Sequence, residues 1–224
     1  MIQIKAVKKH YHLGKKEVPA LHDIDLEIPD GDFVSIIGSS GCGKSTLLLA
    51  MGGMLTPSGG EVLVNGRSLY GMGVEERARV RREQFGFVFQ TFNLIPYLTA
   101  RENIEVPLYL AGWDEKEQKQ KAESLLDRLG LIERMDHKPF ELSVGQQQRV
   151  ALARMLANDP RIILADEPTA NLDPETAEMA MGFLKALNQE GRTVVLVTHS
   201  PEAAQTAKRI IRLKEGRIES DQVK

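Results

Sequence analysis

The run Gly38-Ser39-Ser40-Gly41-Cys42-Gly43-Lys44-Ser45, followed by Thr46, has the residue types and the spacing to hold a polyphosphate. Glycines let a backbone curl until successive N–H groups converge on one anion, and a helix starting there adds its positive N-terminal end. Lys44 can then reach β- and γ-phosphate oxygens, and the Ser45 hydroxyl can ligate Mg²⁺. A turn that merely joined a strand to a helix would need neither the lysine nor the hydroxyl at those positions. Cys42 is the only cysteine in the sequence, so an internal disulfide is excluded and a reducing compartment is expected. Within such a tight turn it reads as a small residue rather than a redox switch.

A second group with chemical potential is Asp166-Glu167, at the end of the apolar run Ile162-Ile163-Leu164-Ala165. Ligand chemistry in open α/β sheets collects at strand ends of this kind. Asp166 is suited to the Mg²⁺ shell, and Glu167 to accept a proton from an attacking water. His199 follows another apolar run, Thr193 to Val197, and could hydrogen-bond a γ-phosphate while holding the water and Glu167 in register. Taken alone, a histidine at a strand end reads as structural.

These residues need strands to carry them, and the hydrophobic pattern supplies them. Continuous apolar runs at Phe33 to Ile37, Arg161 to Ala165, Thr193 to Val197 and Arg209 to Leu213 read as strands covered on both faces. Ile2 to Val7, Leu21 to Ile28 and Glu61 to Val64 alternate polar and apolar residues, as half-exposed strands do. Between Thr99 and Asn158 helical periodicity takes over, with Asp114 to Leu129 polar on one side and carrying Leu125, Leu126 and Leu129 on the other. A helix is also expected from Ser45 to Leu55.

The expected fold is therefore α/β: a phosphate-loop NTPase core with a mainly parallel central sheet, an N-terminal antiparallel β subdomain and an inserted α-helical subdomain. One domain spans 1–224, with the core at about 1–90 and 159–224 and the helical insertion at about 91–158.

With 29 basic against 31 acidic residues, no large single-sign field exists to attract nucleic acid. The arginines at 77, 79, 81 and 82 are flanked by Glu75, Glu76 and Glu83 and read as a solvated face. The least polar stretch, Leu47 to Leu55, is far short of the ~20 apolar residues that cross a bilayer, and the start has no signal-peptide pattern. Direct membrane insertion is not expected, and any membrane role would come through a partner.

Taken together, these motifs resemble the nucleotide-binding domains of ABC transporters over essentially the whole chain. The most specific element is Leu142-Ser143-Val144-Gly145-Gln146-Gln147-Gln148-Arg149, which is similar to the family's signature sequence. The resemblance implies a homodimer on ATP binding, in which Ser143, Gly145 and Gln146 of one copy close over ATP held by the phosphate loop of the other. A helix beginning near Gln146 would aim its dipole at the γ-phosphate. Val144 replaces the usual glycine; a β-branched residue there disfavours positive φ.

The resemblance further implies that Tyr11 stacks on adenine with Val18 nearby. It implies that Gln90 touches Mg²⁺ and the attacking water, and that the loop ending at Asp173 communicates across the dimer. Phe92, Leu94, Ile95, Pro96 and Tyr97 form an apolar cluster with two readings: core between the lobes, or a groove for a membrane subunit. Within the family, the segment from Phe87 to Leu108 looks most like the macrolide-export and lipoprotein-release subgroup. That implies a Mg-ATP hydrolase on the cytoplasmic face of the membrane, driving a separate integral permease. Amino-acid importers and the cell-division ATPase have similar motifs, and a regulatory module that binds ATP without turnover would be expected to lack Glu167.

Overall fold

The computed structural model describes residues 1–14 and 16–224. In chain order its elements begin with β1 (Ile2–Leu13), β2 (Lys16–Ile28), β3 (Phe33–Ile37), α1 (Lys44–Met51), β4 (Gly59–Val64), β5 (Arg67–Ser68), α2 (Val74–Gln84) and β6 (Phe85–Phe89). There follow α3 (Ala100–Leu110), α4 (Glu115–Arg128), α5 (Val144–Met155), β7 (Ile162–Asp166), α6 (Pro174–Gln189), β8 (Thr193–Thr198), α7 (Pro201–Gln205), β9 (Arg209–Lys214) and β10 (Arg217–Val223).

The central sheet runs β10-β9-β3-β8-β7-β6, and every pairing but the outermost β10–β9 is parallel. A separate antiparallel sheet runs β2-β1-β4-β5. The mainly parallel centre and the antiparallel N-terminal layer both match the sequence reading.

Strand side chains alternate between faces, so β3, β6, β7 and β8 each feed two cores. Val34, Ile36, Ile162, Leu164, Val195 and Val197 pack with α1 and the antiparallel sheet. Phe33, Ile163, Ala165, Val194 and Leu196 pack instead among the helices, with Ile104, Leu126, Val150 and Leu184. Burial of each such aliphatic side chain contributes roughly 1.5–3 kcal/mol. Together the two cores hold β3, β7 and β8 in fixed register.

Three helices are started by side chains that the sequence places well. Thr99 and Glu102 form a reciprocal capping box on α3, Asp114 caps α4, and Ser143 and Gln146 form a second capping box on α5. Fully buried Asn103 accepts from Ile95 N–H and donates to the carbonyls of Ile95, Leu98 and Thr99, fastening the loop ahead of α3.

Several boundaries differ from the sequence reading. Helix α1 ends at Met51, where Gly52 caps it, rather than at Leu55. Helix α5 begins at Val144, two residues before Gln146, because the Ser143 hydroxyl caps it. Strand β9 buries Ile211 and Leu213 but exposes Arg212 and Lys214, so it is covered on one face only. The arginines of α2 are not all solvated: Arg77 stacks on Tyr70, and Arg81 donates to the Gly53 carbonyl. The apolar cluster after Gln90 divides: Leu94 packs into the helical core, whereas Tyr97 is 73% exposed.

Candidate functional site

Parallel register determines what meets at the C-terminal edge of the sheet. Ile37 of β3 pairs with Thr198 of β8, Asp166 of β7 with Val197 of β8, and Phe89 of β6 with Asp166. Consequently Gly38, His199, Glu167 and Gln90, the residues that follow these strand ends, emerge side by side. Such an edge is where open α/β sheets bind ligands.

The glycine-rich loop leaves β3 and turns into α1 through Gly43, which sits at φ 105 as the helix N-cap. A Cβ on Gly43 would lie 2.5 Å from the Ala20 carbonyl oxygen, so only glycine fits both the left-handed backbone and the contact with β2. Ser39, Ser40 and Gly41 are exposed, whereas Cys42, Gly43 and Lys44 are buried beneath them. The loop is also held from behind: Gly216, in the β9–β10 turn, donates its N–H to Cys42 O (3.0 Å) and accepts from His22 N–H (2.8 Å). The Lys44 ammonium donates to the loop's own carbonyls at Gly38 (2.9 Å) and Ser39 (3.1 Å). One of its three N–H donors is left for another acceptor.

Ser45 Oγ donates to Asp166 Oδ1 at 3.0 Å, tying the loop to β7. Burial pushes the Asp166 carboxyl above its ordinary pKa, and adjacent Glu167 adds to the rise against the opposing Ser45 hydrogen bond and Lys44 charge. A cation beside this pair would relieve the strain on the carboxylate. Hydroxyl and carboxylate oxygens are the hard donors that Mg²⁺ takes together with phosphate oxygens and water, so the residues fit that ion.

Glu167 adopts φ 48 and donates its N–H to the Val197 carbonyl at 2.9 Å. Its carboxylate is grasped twice by one residue: Oε1 lies 2.9 Å from His199 Nδ1, and Oε2 accepts from His199 N–H at 3.3 Å. The glutamate side chain is 14% exposed and the histidine 65%, so the imidazole faces open solvent while the carboxylate sits behind it. A cleft of about 750 Å³ opens beside them, lined among others by Thr169, Met181, Lys185 and Glu202.

Tyr11 and Val18 are cross-strand partners in the β1–β2 hairpin. The Tyr11 hydroxyl is 3.3 Å from Thr46 Oγ1, and the Lys9 ammonium lies 5.4 Å from the ring centroid. Gln90 is exposed, and its carbonyl accepts from Asn171 Nδ2 at 3.3 Å.

The signature segment lies apart from this cluster. Ser143, Gly145 and Gln146 form the first turn of α5, and no hydrogen bond among the described residues joins them to Lys44, Asp166, Glu167 or His199. Val144 occupies the first helical position with its side chain 48% exposed. A Cβ on Gly145 would lie 3.0 Å from the Thr176 side chain, so this glycine allows α5 to approach α6. Asp173 caps α6 with both oxygens on Thr176, at 3.0 Å to its N–H and 2.7 Å to its hydroxyl, which lowers the Asp173 pKa.

Two residues that sequence reasoning passed over also touch this region. Buried Gln148 donates to the carbonyl of Pro168, next to Glu167 (2.9 Å), and Arg154 reaches the loop behind Gln90. Both lie within a helical run already marked by the signature, but their partners are far away in sequence.

The sequence pattern described as ABC transporter matches residues 21–170. The chain is 46% identical over its whole length to the macrolide export ATP-binding/permease protein MacB of Brucella melitensis, of which it spans only 35%. It is 46% identical over 97% of its length to the uncharacterized ABC transporter ATP-binding protein YknY of Bacillus subtilis, covering 95% of that protein. Among solved structures it superposes with a TM-score of 0.93 and 45% identity on a dimeric ATP-binding cassette in a post-hydrolysis state with ADP and Pi. That match covers 100% of this chain and 98% of the other.

Proposed function

This chain belongs to the ABC transporter family, as one of its ATP-hydrolysing cassettes, and from that membership we propose that two copies enclose Mg-ATP and drive a separate integral membrane permease. The observation that carries the proposal is the convergence at one sheet edge of the Ser45–Asp166 bond and the Glu167–His199 pair.

In this reading the phosphate-loop N–H groups and Lys44 bind the triphosphate, while Tyr11, with Val18, holds the adenine. Ser45, Asp166 and Gln90 would hold Mg²⁺, which when bound neutralises charge on the β- and γ-phosphate oxygens. Glu167 accepts a proton from the water whose oxygen attacks the γ-phosphorus. His199 keeps that carboxylate aimed, and its other ring nitrogen is left for a phosphate oxygen.

Ser143, Gly145 and Gln146 of the second copy close the far side, with the α5 dipole opposing the negative charge. Asp173 caps α6 beside that closure, and the helical subdomain at about 91–158 moves relative to the core at about 1–90 and 159–224. Exposed Tyr97, with the loop after Gln90, is the natural contact for the permease at the cytoplasmic membrane face. Among the described residues no helix is long and apolar enough to cross a membrane.

The similarity to MacB supports export or mechanotransmission as the task. Phosphate release by the purified chain with Mg-ATP, compared with Lys44→Ala and Glu167→Gln, tests the chemistry. Equal rates in all three would overturn it. Recovery of the chain with an integral membrane protein after mild detergent extraction tests the coupling.

A further inference from the structure

The loop behind Gln90 is built from residues that do not favour its shape. Phe92 has φ 57 and Asn93 φ 51, both in the left-handed region, where a bulky aromatic such as Phe92 is a clear outlier. Something outside the loop must hold these two peptides in place.

Arg154 is that holder. Arg154, in the last turn of α5, donates Nη2–H to the Phe92 carbonyl at 2.6 Å and Nη1–H to the Asn93 carbonyl at 2.5 Å. A guanidinium fork suits two adjacent carbonyls because its planar N–H groups diverge by a fixed angle. Arg154 is largely removed from water, and no charged group among the described residues offsets that cost. Its two short bonds to the loop are therefore its principal compensation. Inside the loop, Thr91 Oγ1 donates to Asn93 Oδ1 at 2.8 Å, which alone does not reach the helix.

Helix α5 thus carries three separate attachments along one rod. Ser143 is its N-cap, Gln148 near its middle grips Pro168 beside Glu167, and Arg154 at its end grips the two residues after Thr91. We propose that Arg154 is a positioning residue for Gln90: it locks the loop behind that glutamine to the helix capped by Ser143, so that a shift of the signature helix is passed to Gln90. This rests on the functional reading above, in which Gln90 meets Mg²⁺ and the attacking water.

The experiment uses the full chain with Arg154→Gln and Arg154→Lys. Lysine restores the charge and carries donors on a single nitrogen, but not the planar fork. Three quantities are read: the rate of Mg-ATP hydrolysis, the affinity for Mg-ATP in the Glu167→Gln background, and amide hydrogen exchange across residues 91–94. Losing two charge-assisted bonds predicts a turnover lower by about tenfold or more for Arg154→Gln, and an intermediate value for Arg154→Lys. Nucleotide affinity should stay within about twofold, because the phosphate loop is untouched. Exchange at 91–94 should accelerate while α5 itself stays protected.

Unchanged exchange and turnover in Arg154→Gln would overturn the proposal. So would a fall in affinity and in helix protection as large as the fall in turnover, which is the pattern of general unfolding. If the parent chain hydrolyses no ATP, the functional reading fails and the link to Gln90 fails with it, and the exchange measurement then decides the clamp by itself.

Discussion

His199 Nδ1 lies 2.9 Å from Glu167 Oε1, and the same residue's backbone N–H reaches Oε2. Both carboxylate oxygens are thereby fixed by one neighbour, with Glu167 at φ 48 and its N–H tied to Val197. In its proposed role as base, a carboxylate held this firmly loses little entropy on reaching its working position.

Glu167→Gln keeps the size and hydrogen-bonding reach of the side chain but cannot take the proton. Turnover should fall by about 10²–10⁴ while Mg-ATP is still bound, so ATP-dependent dimers should accumulate in size-exclusion chromatography. His199→Ala should lose about 10²-fold in rate, with nucleotide affinity nearly intact. Full activity in either variant would remove the pair from the chemistry.

Asp166 gives a prediction about stability. Its pKa is raised in the fold, chiefly by burial, so the folded state binds the proton more tightly than the unfolded chain does. The carboxyl therefore contributes most favourably below its ordinary carboxylate pKa, and that contribution is lost as pH rises through the raised value. At neutral pH without Mg²⁺ or nucleotide, Asp166→Asn should melt higher than the parent and hydrolyse far less. A lower melting temperature than the parent, at pH 7 and at pH 4 alike, would contradict this.

Ser143 caps α5, and substitutions can separate that cap from its proposed part in closing over the partner's nucleotide. Ser143→Ala removes the cap of α5 and should cost about 1 kcal/mol of stability by denaturant unfolding. Ser143→Asp keeps a capping oxygen, so unfolding should be close to the parent, yet it places a negative charge where the partner's γ-phosphate would lie. ATP-dependent dimerisation in the Glu167→Gln background should then disappear. A dimer that forms unchanged would sink the proposed closure.

Tyr11 is tested by Tyr11→Ala and Tyr11→Phe. The first removes the ring and should weaken ATP binding by about tenfold. The second keeps the ring and loses only the 3.3 Å contact with Thr46, so affinity should stay within about twofold. Equal weakening by both would mean that the hydroxyl, rather than stacking, carries the effect.

The strand-borne residues of the site were legible in the sequence because local rules specify them. An apolar run followed by Gly38 or by Asp166-Glu167 marks a buried strand ending in chemistry, and parallel pairing then brings such ends together. The capping boxes at Thr99 and Ser143 are local too, yet the sequence reading starts α5 near Gln146 because it weighs the signature residues and not the cap. Strand β6 was less legible: Phe85-Gly86-Phe87-Val88-Phe89 is a short run interrupted by glycine, and its place as the outer parallel strand depends on pairing with β7. Strand β10 carries mostly polar residues on a sheet edge, so it gives little hydrophobic signal. Gln148 and Arg154 could not be read at all, since Pro168, Phe92 and Asn93 are distant in sequence and carbonyl acceptors leave no trace in residue type.

The tie between Gly216 and Cys42 bears on how the molecule is made. Residues 38–45 are made well before the peptide group that buttresses them, which comes from the turn between β9 and β10, and β8 and β9, which flank β3, also follow much later in the chain. A nascent chain halted before that turn has the sequence of a phosphate cradle without its backing. Nucleotide capture should therefore begin only once that turn has been made and has docked behind the loop.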